Sequence, residues 1–353
     1  MEGLRGLAIF LVFVVHFVTL IDPWMVPGSR LHAIAHDLHT IGNTGVDLFF
    51  VLSGYLIYGS LISRPQKFLR FMSRRVVRIY PTFAVIFLMY VALSFVFPAQ
   101  SKIPSAPGAA VSYLAQNFLL LPGLFPIEPM ITVAWSLSYE MFFYLAIPLV
   151  IVLARLRERT PRFRVAFFLA VAAATVGVCA ASGGPVRIVM FVAGVLLHEA
   201  VQQRRPSASS PMALLALCLG LLATLLPLQG SGGYALKVLC LFAAFFVVCQ
   251  TCLMQPSGWL ARGFSWTPLR WLGNMSYSYY LIHGLALRAC VLLLAVIAPP
   301  GDRGVLFVLA VAVPMFATTL LVAAVLFLAV ERPFSLTPRP SGVKRTSLQG
   351  YAP

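Results

Sequence analysis

The sequence predicts an all-α, polytopic membrane protein of about ten transmembrane helices. Three observations support this fold class: the composition, the spacing of apolar runs and the distribution of charge. Of 353 residues, 60% are hydrophobic and only 10% are charged, and the mean hydropathy is +0.91. A soluble domain carries about 25% charged residues. The chain therefore has too little polar surface for a water-soluble body, and lipid must solvate much of it.

Apolar runs long enough to cross a bilayer recur along the chain, since a spanning helix needs about 20 mostly apolar residues. Ten such spans are predicted, with approximate ranges 3–21, 43–62, 76–98, 133–154, 163–181, 185–201, 211–228, 235–254, 272–298 and 303–330. Residues 99–132 are predicted to form an outer loop with an interfacial or re-entrant segment at 113–121. Residues 1–334 are interpreted as one membrane domain, and residues 335–353 as a short, basic, disordered cytoplasmic tail.

Lysine and arginine residues concentrate on alternate connections between these spans. Twenty of the 26 fall on one alternate set, which includes the connections 62–76 and 154–163. Cytoplasmic loops of membrane proteins carry an excess of these residues. A miscounted span would scatter the charges over both sides. The asymmetry therefore predicts an even number of spans with both termini cytoplasmic.

The formal net charge is +16, which in a soluble protein would indicate a nucleic-acid partner. Here the basic residues lie between apolar runs, which favours contact with anionic lipid headgroups or phosphates and excludes nucleic acid. The six cysteines lie within apolar runs and are interpreted as small core residues. His32, His36 and His39 could form a metal-binding helical face, but a role as outer-loop residues near an acceptor entrance is favoured. No metal site is predicted.

Ionisable groups inside spans are costly in lipid, so each is a functional candidate. Arg5 and His16 are 11 residues apart on the first span. On a helix this is three turns, so both side chains share a face and lie about 16.5 Å apart along the axis. A cationic mouth with an imidazole deep behind it suits a ligand with an anionic head and a long arm. The alternative is a helix anchor and a structurally paired histidine.

Asp47, Glu140 and His283 fall at overlapping depths with His16 when each span is followed from its end at about 1.5 Å per residue. A carboxylate beside an imidazole fixes its tautomer and raises its basicity, which creates a general base. His16, Asp47 and Glu140 are therefore predicted as the catalytic group. A structural ion-pair network remains the alternative interpretation.

The connection before the third span is unusually basic. Arginine forks pair well with phosphate oxygens, so a nucleotide-type donor is predicted to dock on arginines that recur at helical spacing: Arg70, Arg74, Arg75 and Arg78. Contact with anionic lipid headgroups is the alternative. Arg187, at the outer start of the sixth span, is a candidate contact for an acceptor.

Six motifs in order resemble those of the acyltransferase-3 family of membrane O-acyltransferases. They are an R-x10-H signature at Arg5 and His16, the second-span motif Gly45–Ile57, the basic stretch Phe68–Pro81, W-S-L-S-x-E at Trp135–Glu140, S-Y-x-x-Y-L-x-H at Ser276–His283, and E-[KR]-P at Glu331–Pro333. The resemblance covers about residues 3–334. Longer members of the family carry a C-terminal SGNH-type esterase domain, and this chain is not expected to have one.

The resemblance implies an O-acyltransferase of a bacterial-type cytoplasmic (inner) membrane. It implies acyl-CoA, often acetyl-CoA, as co-substrate, no permanently bound cofactor, and as acceptor a hydroxyl-bearing saccharide or secondary metabolite. It also implies an essential His16 and a donor-binding Arg5. Further candidate substrate contacts are Trp135, Ser138, Arg187 and His283.

The hypothesis is that the donor docks at the cytoplasmic arginines and extends its thioester towards His16. His16, oriented by Asp47 or Glu140, then takes the proton of the acceptor hydroxyl, with a covalent acyl-histidine as a variant. The main alternative is a proton-coupled transporter or exporter, because ten spans and buried charges suit that function as well. No inverted repeat or pair of broken spans is visible in the sequence, which favours the enzyme.

Overall fold

The computed structural model describes residues 1–336, and within that range the regular structure is helical, with one isolated bridge between Pro122 and Phe125. The α-helices are α1 Glu2–Ile21, α2 Arg30–Gly42, α3 Thr44–Ser63, α4 Phe68–Val96, α5 Pro107–Phe118, α6 Ala134–Leu153, α7 Pro161–Ser182, α8 Val189–Gln202, α9 Ser210–Ala223, α10 Gly230–Met254, α11 Trp259–Phe264, α12 Thr267–Asn274, α13 Ser276–Ile297 and α14 Val305–Leu326. A π-helical segment, Phe327–Leu336, continues from α14. The all-α prediction is confirmed. Of the predicted tail, residues 337–353 lie outside the described part.

Eight helical segments within the described part are long and apolar enough to cross a bilayer, which confirms a polytopic membrane protein. Each of the ten predicted spans coincides with a helix. Those predicted at 185–201 and 211–228, however, are α8 and α9, of 14 residues each. Such a helix is about 21 Å long, shorter than the ~30 Å hydrocarbon layer. Ten spans and two cytoplasmic termini therefore stay predictions.

The stretch before Asn43, predicted as loop, is the helix α2. With α3 it forms a single candidate span, Arg30–Ser63, of 34 residues. Close approach to α1 holds both helices: a Cβ on Gly42 would lie 2.8 Å from the carbonyl oxygen of Leu11, and one on Gly45 would lie 2.4 Å from that of Ala8. No helix was predicted there, because polar residues lower the hydropathy of α2 below that of a typical span.

Helix α8 lies at the centre of the bundle, and all its residues from Val189 to Glu199 are buried. It crosses α3 at two glycines. A Cβ on Gly54 would lie 2.2 Å from the carbonyl oxygen of Phe191, and one on Gly194 would lie 2.1 Å from that of Val51. The two backbones are therefore in direct contact, and α3 is held against the core.

The predicted outer loop 99–132 contains α5, which ends at Phe118. Its buried Asn117 accepts a hydrogen bond from the backbone N–H of Met130 (2.7 Å) and donates to the carbonyl of Glu128 (3.3 Å). These bonds tie the segment before α6 to α5. The helix thus orders the connection that leads to Trp135 and Glu140.

Candidate active site

A cavity opens between α1, α3, α4, α6 and α13, with about 920 Å³ of empty space including its mouth. We call it the arginine cavity. Its apolar wall comes mainly from α3. Its polar lining consists of Arg5, Ser53, Arg75, Arg78, Ser136, Glu140, Tyr144, Ser276, Tyr277 and Tyr280. Three arginines against one carboxylate give the wall an excess of positive charge.

Two of these arginines form no ion pair within residues 1–336. The guanidinium of Arg5 makes no hydrogen bond or ion pair there, and Nε of Arg75 is buried without a hydrogen-bond partner. Arg75 lies over the rings of Phe71 (5.3 Å) and Tyr144 (5.7 Å). Partly buried charge without a direct ion pair is costly, so these two groups are suited to an anion that enters the cavity.

The other two predicted donor-binding arginines lie elsewhere. Helix α4 begins at Phe68, so the predicted basic loop is its first turns. Arg75 and Arg78, three residues apart, face the cavity. Arg70 and Arg74 are exposed and do not line it, and Arg74 donates to the side-chain carbonyl of Gln66. Of the five predicted donor-binding arginines, only Arg5, Arg75 and Arg78 can therefore contact a ligand inside the cavity.

Glu140 lines the arginine cavity, where it is held by two hydroxyl groups. Its Oε1 accepts hydrogen bonds from Ser53 (2.6 Å) and from Tyr144 (2.5 Å). Tyr144 is one helical turn further along α6, so Glu140 and Tyr144 lie on the same face. Neither bond involves His16, and the predicted contact of Glu140 with that imidazole is not formed.

Asp47 pairs with Arg187 rather than with a histidine. The guanidinium donates to both carboxylate oxygens, from Nε (2.9 Å) and Nη2 (2.8 Å), and Nη2 also donates to the carbonyl of Asn43 (2.6 Å). Arg187 also lies 5.6 Å from the centre of the Trp135 ring. A two-pronged arginine pair satisfies a buried carboxylate better than one imidazole bond. The predicted orientation of His16 by Asp47 is therefore not present.

Ser138, a predicted substrate contact, is fully buried, and its hydroxyl donates to the carbonyl of Ala134 in its own helix (3.3 Å). The serine of this motif that lines the cavity is Ser136, two residues earlier. Trp135 packs edge-on against Phe50 and Tyr139. Of these three motif residues, only Ser136 reaches the cavity.

His16 lies against His283, and their ring centres are 4.8 Å apart. His283 is fully buried, and its Nδ1 donates to the carbonyl of Tyr279 (3.0 Å). A carbonyl only accepts, so Nδ1 carries the hydrogen and Nε2 carries the lone pair. Nε2 has no hydrogen-bond partner in the described chain. The pair therefore contains a buried imidazole nitrogen whose lone pair is unused.

Tyr280 separates this histidine pair from the arginine cavity. Its ring lines the cavity and lies 6.1 Å, centre to centre, from that of His283, whereas neither histidine lines the cavity. Its hydroxyl shares a hydrogen bond with the hydroxyl of Ser136 (2.6 Å), and it lies within hydrogen-bond distance of the carbonyl of Val133 (3.0 Å). The predicted continuous passage from the arginines to His16 therefore ends at Tyr280 in this conformation.

Several residues of the site were missed by reasoning from sequence. Ser53, Tyr144 and Tyr280 are uncharged at neutral pH, so the search for ionisable groups in spans passed over them. Tyr144 carries a usable signal, since it follows Glu140 by four residues on one helix face. The Tyr280–Ser136 bond joins helices 144 positions apart in sequence, and no local pattern predicts it.

The fold and the site together define a multi-pass membrane protein with a cavity suited to an anionic ligand and a buried histidine pair beyond it. Comparison with known proteins shows to which family the chain belongs. Residues 1–328 match the family described as an acyltransferase domain, acyltransferase-3. The chain belongs to this family of membrane acyltransferases, as its motifs indicated.

Two relatives show how far the similarity extends. The chain is 27% identical to the acyltransferase MdmB of Streptomyces mycarofaciens over 322 residues, which is 82% of this chain and 78% of MdmB. It is 36% identical to the O-acetyltransferase OatA of Staphylococcus aureus over 166 residues, which is 43% of this chain and 24% of OatA. No solved structure matches the chain. The family assignment favours an enzyme over the transporter.

Proposed function

We propose that this membrane acyltransferase moves an acyl group, most simply acetyl, from cytoplasmic acyl-CoA to a hydroxyl of a saccharide or secondary metabolite. The observation that carries the proposal is the arginine cavity, where Arg5 and Arg75 form no ion pair within the described residues. Coenzyme A combines phosphates with a long flexible arm, and it matches a cationic mouth followed by an apolar wall. The O-acetyltransferase name of OatA supports acetyl and a hydroxyl acceptor.

The donor's phosphates would bind at the arginines and its arm would follow α3. Arg5, Arg75 and Arg78 supply forked N–H donors inside the cavity. Arg70 and Arg74 are exposed on the same helix as Arg75 and can meet phosphates that remain outside. The arm would lie along apolar lining residues of α3: Phe49, Phe50, Leu52, Leu56 and Ile57. The Tyr280 side chain must then move aside before the thioester reaches His16.

His16 is the proposed general base. As the acceptor oxygen attacks the thioester carbonyl, His16 takes the hydroxyl proton. The carbon–sulfur bond then breaks, and the thiolate of coenzyme A leaves with that proton to give the ester and the free thiol. The lone pair on Nε2 of His283 supports this role, since it can accept an N–H bond from His16 and orient the ring. A covalent acyl-histidine remains the variant.

The acids would act indirectly. Glu140 fixes Tyr144 in the cavity wall, and Asp47 fixes Arg187. Arg187 and Trp135 lie together on the side from which an acceptor would approach. The setting proposed for this reaction is a bacterial cytoplasmic membrane, supported by the bacterial origin of both relatives.

The test uses sealed inverted membrane vesicles that contain the full chain, together with acetyl-CoA labelled in the acetyl group. Alkali-labile label should accumulate in the membrane or lumen with the wild-type protein, and His16→Ala should abolish it. His198→Asn is a matched control, since His198 is a buried histidine of α8 that does not line the arginine cavity. Transfer by His198→Asn should persist at the level of folded protein.

Sealed right-side-out vesicles form the second arm and should give no label, because acetyl-CoA does not cross the bilayer. An active His16→Ala variant would refute the role of the histidine. Equal labelling of both vesicle orientations would refute a cytoplasmic donor.

A further inference from the structure

Glu331 is a completely buried carboxylate near the end of Val305–Leu336, the last candidate membrane segment in the described residues. It lies in the π-helical segment after α14, and none of its side chain is exposed. Its Oε1 accepts from Nη1 of Arg78 (2.7 Å), and its Oε2 accepts from the backbone N–H (2.9 Å) and hydroxyl (2.5 Å) of Ser278. Three donors from two other helices therefore converge on this one group.

These bonds hold two walls of the arginine cavity. Arg78 lines the cavity from α4, and Ser278 is one residue after the lining residue Tyr277 on α13. Arg78 lies 5.7 Å from the centre of the Tyr277 ring, and the Tyr277 hydroxyl donates to the carbonyl of Ile79 (2.8 Å). Glu331 itself does not line the cavity. Its hydrogen bonds therefore reach the cavity only through the groups it holds.

We propose that Glu331 is a positioning residue for donor binding, which aims the free N–H groups of Arg78 into the arginine cavity. The inference rests on the proposed function, because it assumes that the anionic donor binds at Arg5, Arg75 and Arg78. Arg78 is the only one of these three with an ion-pair partner in the described chain. An arginine side chain has many rotamers, and fixing it in advance removes an ordering cost from binding.

Simple electrostatics predicts that removing the charge of Glu331 changes the affinity for an anion in the direction opposite to that expected from positioning. Its negative charge lowers the positive potential of the cavity, so Glu331→Gln should strengthen anion binding if charge alone mattered. If positioning matters more, the same variant should weaken binding. The amide keeps the size of the side chain, but its NH₂ group accepts no hydrogen bond, so either Arg78 or Ser278 loses its acceptor. The sign of the change thus separates the two accounts.

The experiment measures equilibrium binding of coenzyme A to the detergent-purified full chain. We expect Glu331→Gln to raise the Kd by about tenfold, comparable to the loss of one charge-assisted hydrogen bond. Glu199→Gln is the matched control. Glu199 is equally buried and pairs with Arg164 (2.7 Å) and Tyr58 (2.6 Å), but none of these residues lines the cavity. This control should lose thermal stability and keep the wild-type Kd.

A double-mutant cycle ties the effect to Arg78. If Glu331 acts through Arg78, the double variant Glu331→Gln, Arg78→Gln should bind coenzyme A no more weakly than Arg78→Gln alone. Additive losses, or an equal loss in Glu199→Gln, would overturn the inference. Should Glu331→Gln not fold, Ser278→Ala removes one of the three bonds and should raise the Kd in the same direction.

The outcomes separate this inference from the proposed function. A loss of binding in Arg75→Gln and Arg78→Gln with an unchanged or lower Kd in Glu331→Gln would refute the positioning role alone. No binding of coenzyme A by the wild-type chain would refute the donor assignment and the inference together.

Discussion

The side chain of Asp47 shows how a buried carboxylate selects its partner. Counting along the helices placed Asp47 near His16 by depth, but its carboxylate pairs with Arg187. Arg187 offers two parallel N–H donors and a permanent charge, whereas the neutral ring of His16 offers a single N–H donor. The result is a closed ion pair with side-chain exposures of 2% and 18%. The carboxylate of Asp47 thus forms its ion pair with Arg187, and the ring of His16 contacts that of His283.

This pair supports a prediction about stability. Asp47→Asn should lower the free energy of unfolding by about 3 kcal/mol, because it leaves the Arg187 guanidinium buried without its counter-charge. Denaturant unfolding of the purified protein in detergent measures the change. The double variant Asp47→Asn, Arg187→Gln should cost clearly less than the sum of the two single variants. Full additivity would mean that the pair is not coupled.

At the scale of helices, close backbone contacts set the positions of the site residues. The crossing of α3 and α8 has no room for a side chain at Gly54 or Gly194. This contact fixes α3, which supplies Ser53 and the apolar wall of the arginine cavity. The sequence predicted a helix at both places. It carried no sign of which helix would lie beside which.

Gly194→Ala should destabilise the bundle. The new Cβ would fall 2.1 Å from the carbonyl oxygen of Val51, so the helices must separate. Overpacking of this kind costs about 1–3 kcal/mol. Gly177→Ala is the matched control: Gly177 also lies within a helix, α7, but a Cβ there meets nothing within 4 Å. Thermal unfolding should show a lower Tm for Gly194→Ala and an equal or higher one for Gly177→Ala. An equal decrease in Tm for both variants would contradict the close contact between α3 and α8.

At the scale of the whole molecule, the distribution of arginine and lysine predicts the orientation in the membrane. The connection around Arg159 belongs to the alternate set of connections that carries most of the arginine and lysine residues. The connection around Asp302 belongs to the alternate set that carries few of them. Both residues are exposed. The positive-inside tendency therefore predicts that they lie on opposite sides of the membrane.

Cysteine labelling of the full chain tests this orientation. A membrane-impermeant maleimide should label Asp302→Cys in intact cells, and it should label Arg159→Cys only after lysis. The wild-type chain gives the background from its own cysteines. Labelling of both variants in intact cells would contradict the predicted topology and the cytoplasmic side of the arginine cavity.

The sequence by itself determined the properties that depend on local composition and spacing. Apolar runs indicated a helical membrane protein, and the ordered motifs indicated the family. Counting along the helices also placed Arg5, Arg75 and Arg78 near the cytoplasmic side, and these three arginines line one cavity. These features need no knowledge of which helices are neighbours.

Only the tertiary structure decided which groups meet. Asp47 and Arg187 are 140 positions apart, and Arg78 and Glu331 are 253 positions apart. A buried charge takes the partner that best offsets its desolvation, and helix packing brings that partner within reach. Packing also placed Tyr280 between the cavity and the histidine pair. These contacts depend on how each helix is rotated and on which helices are adjacent, and the pattern of residues along one sequence does not specify either.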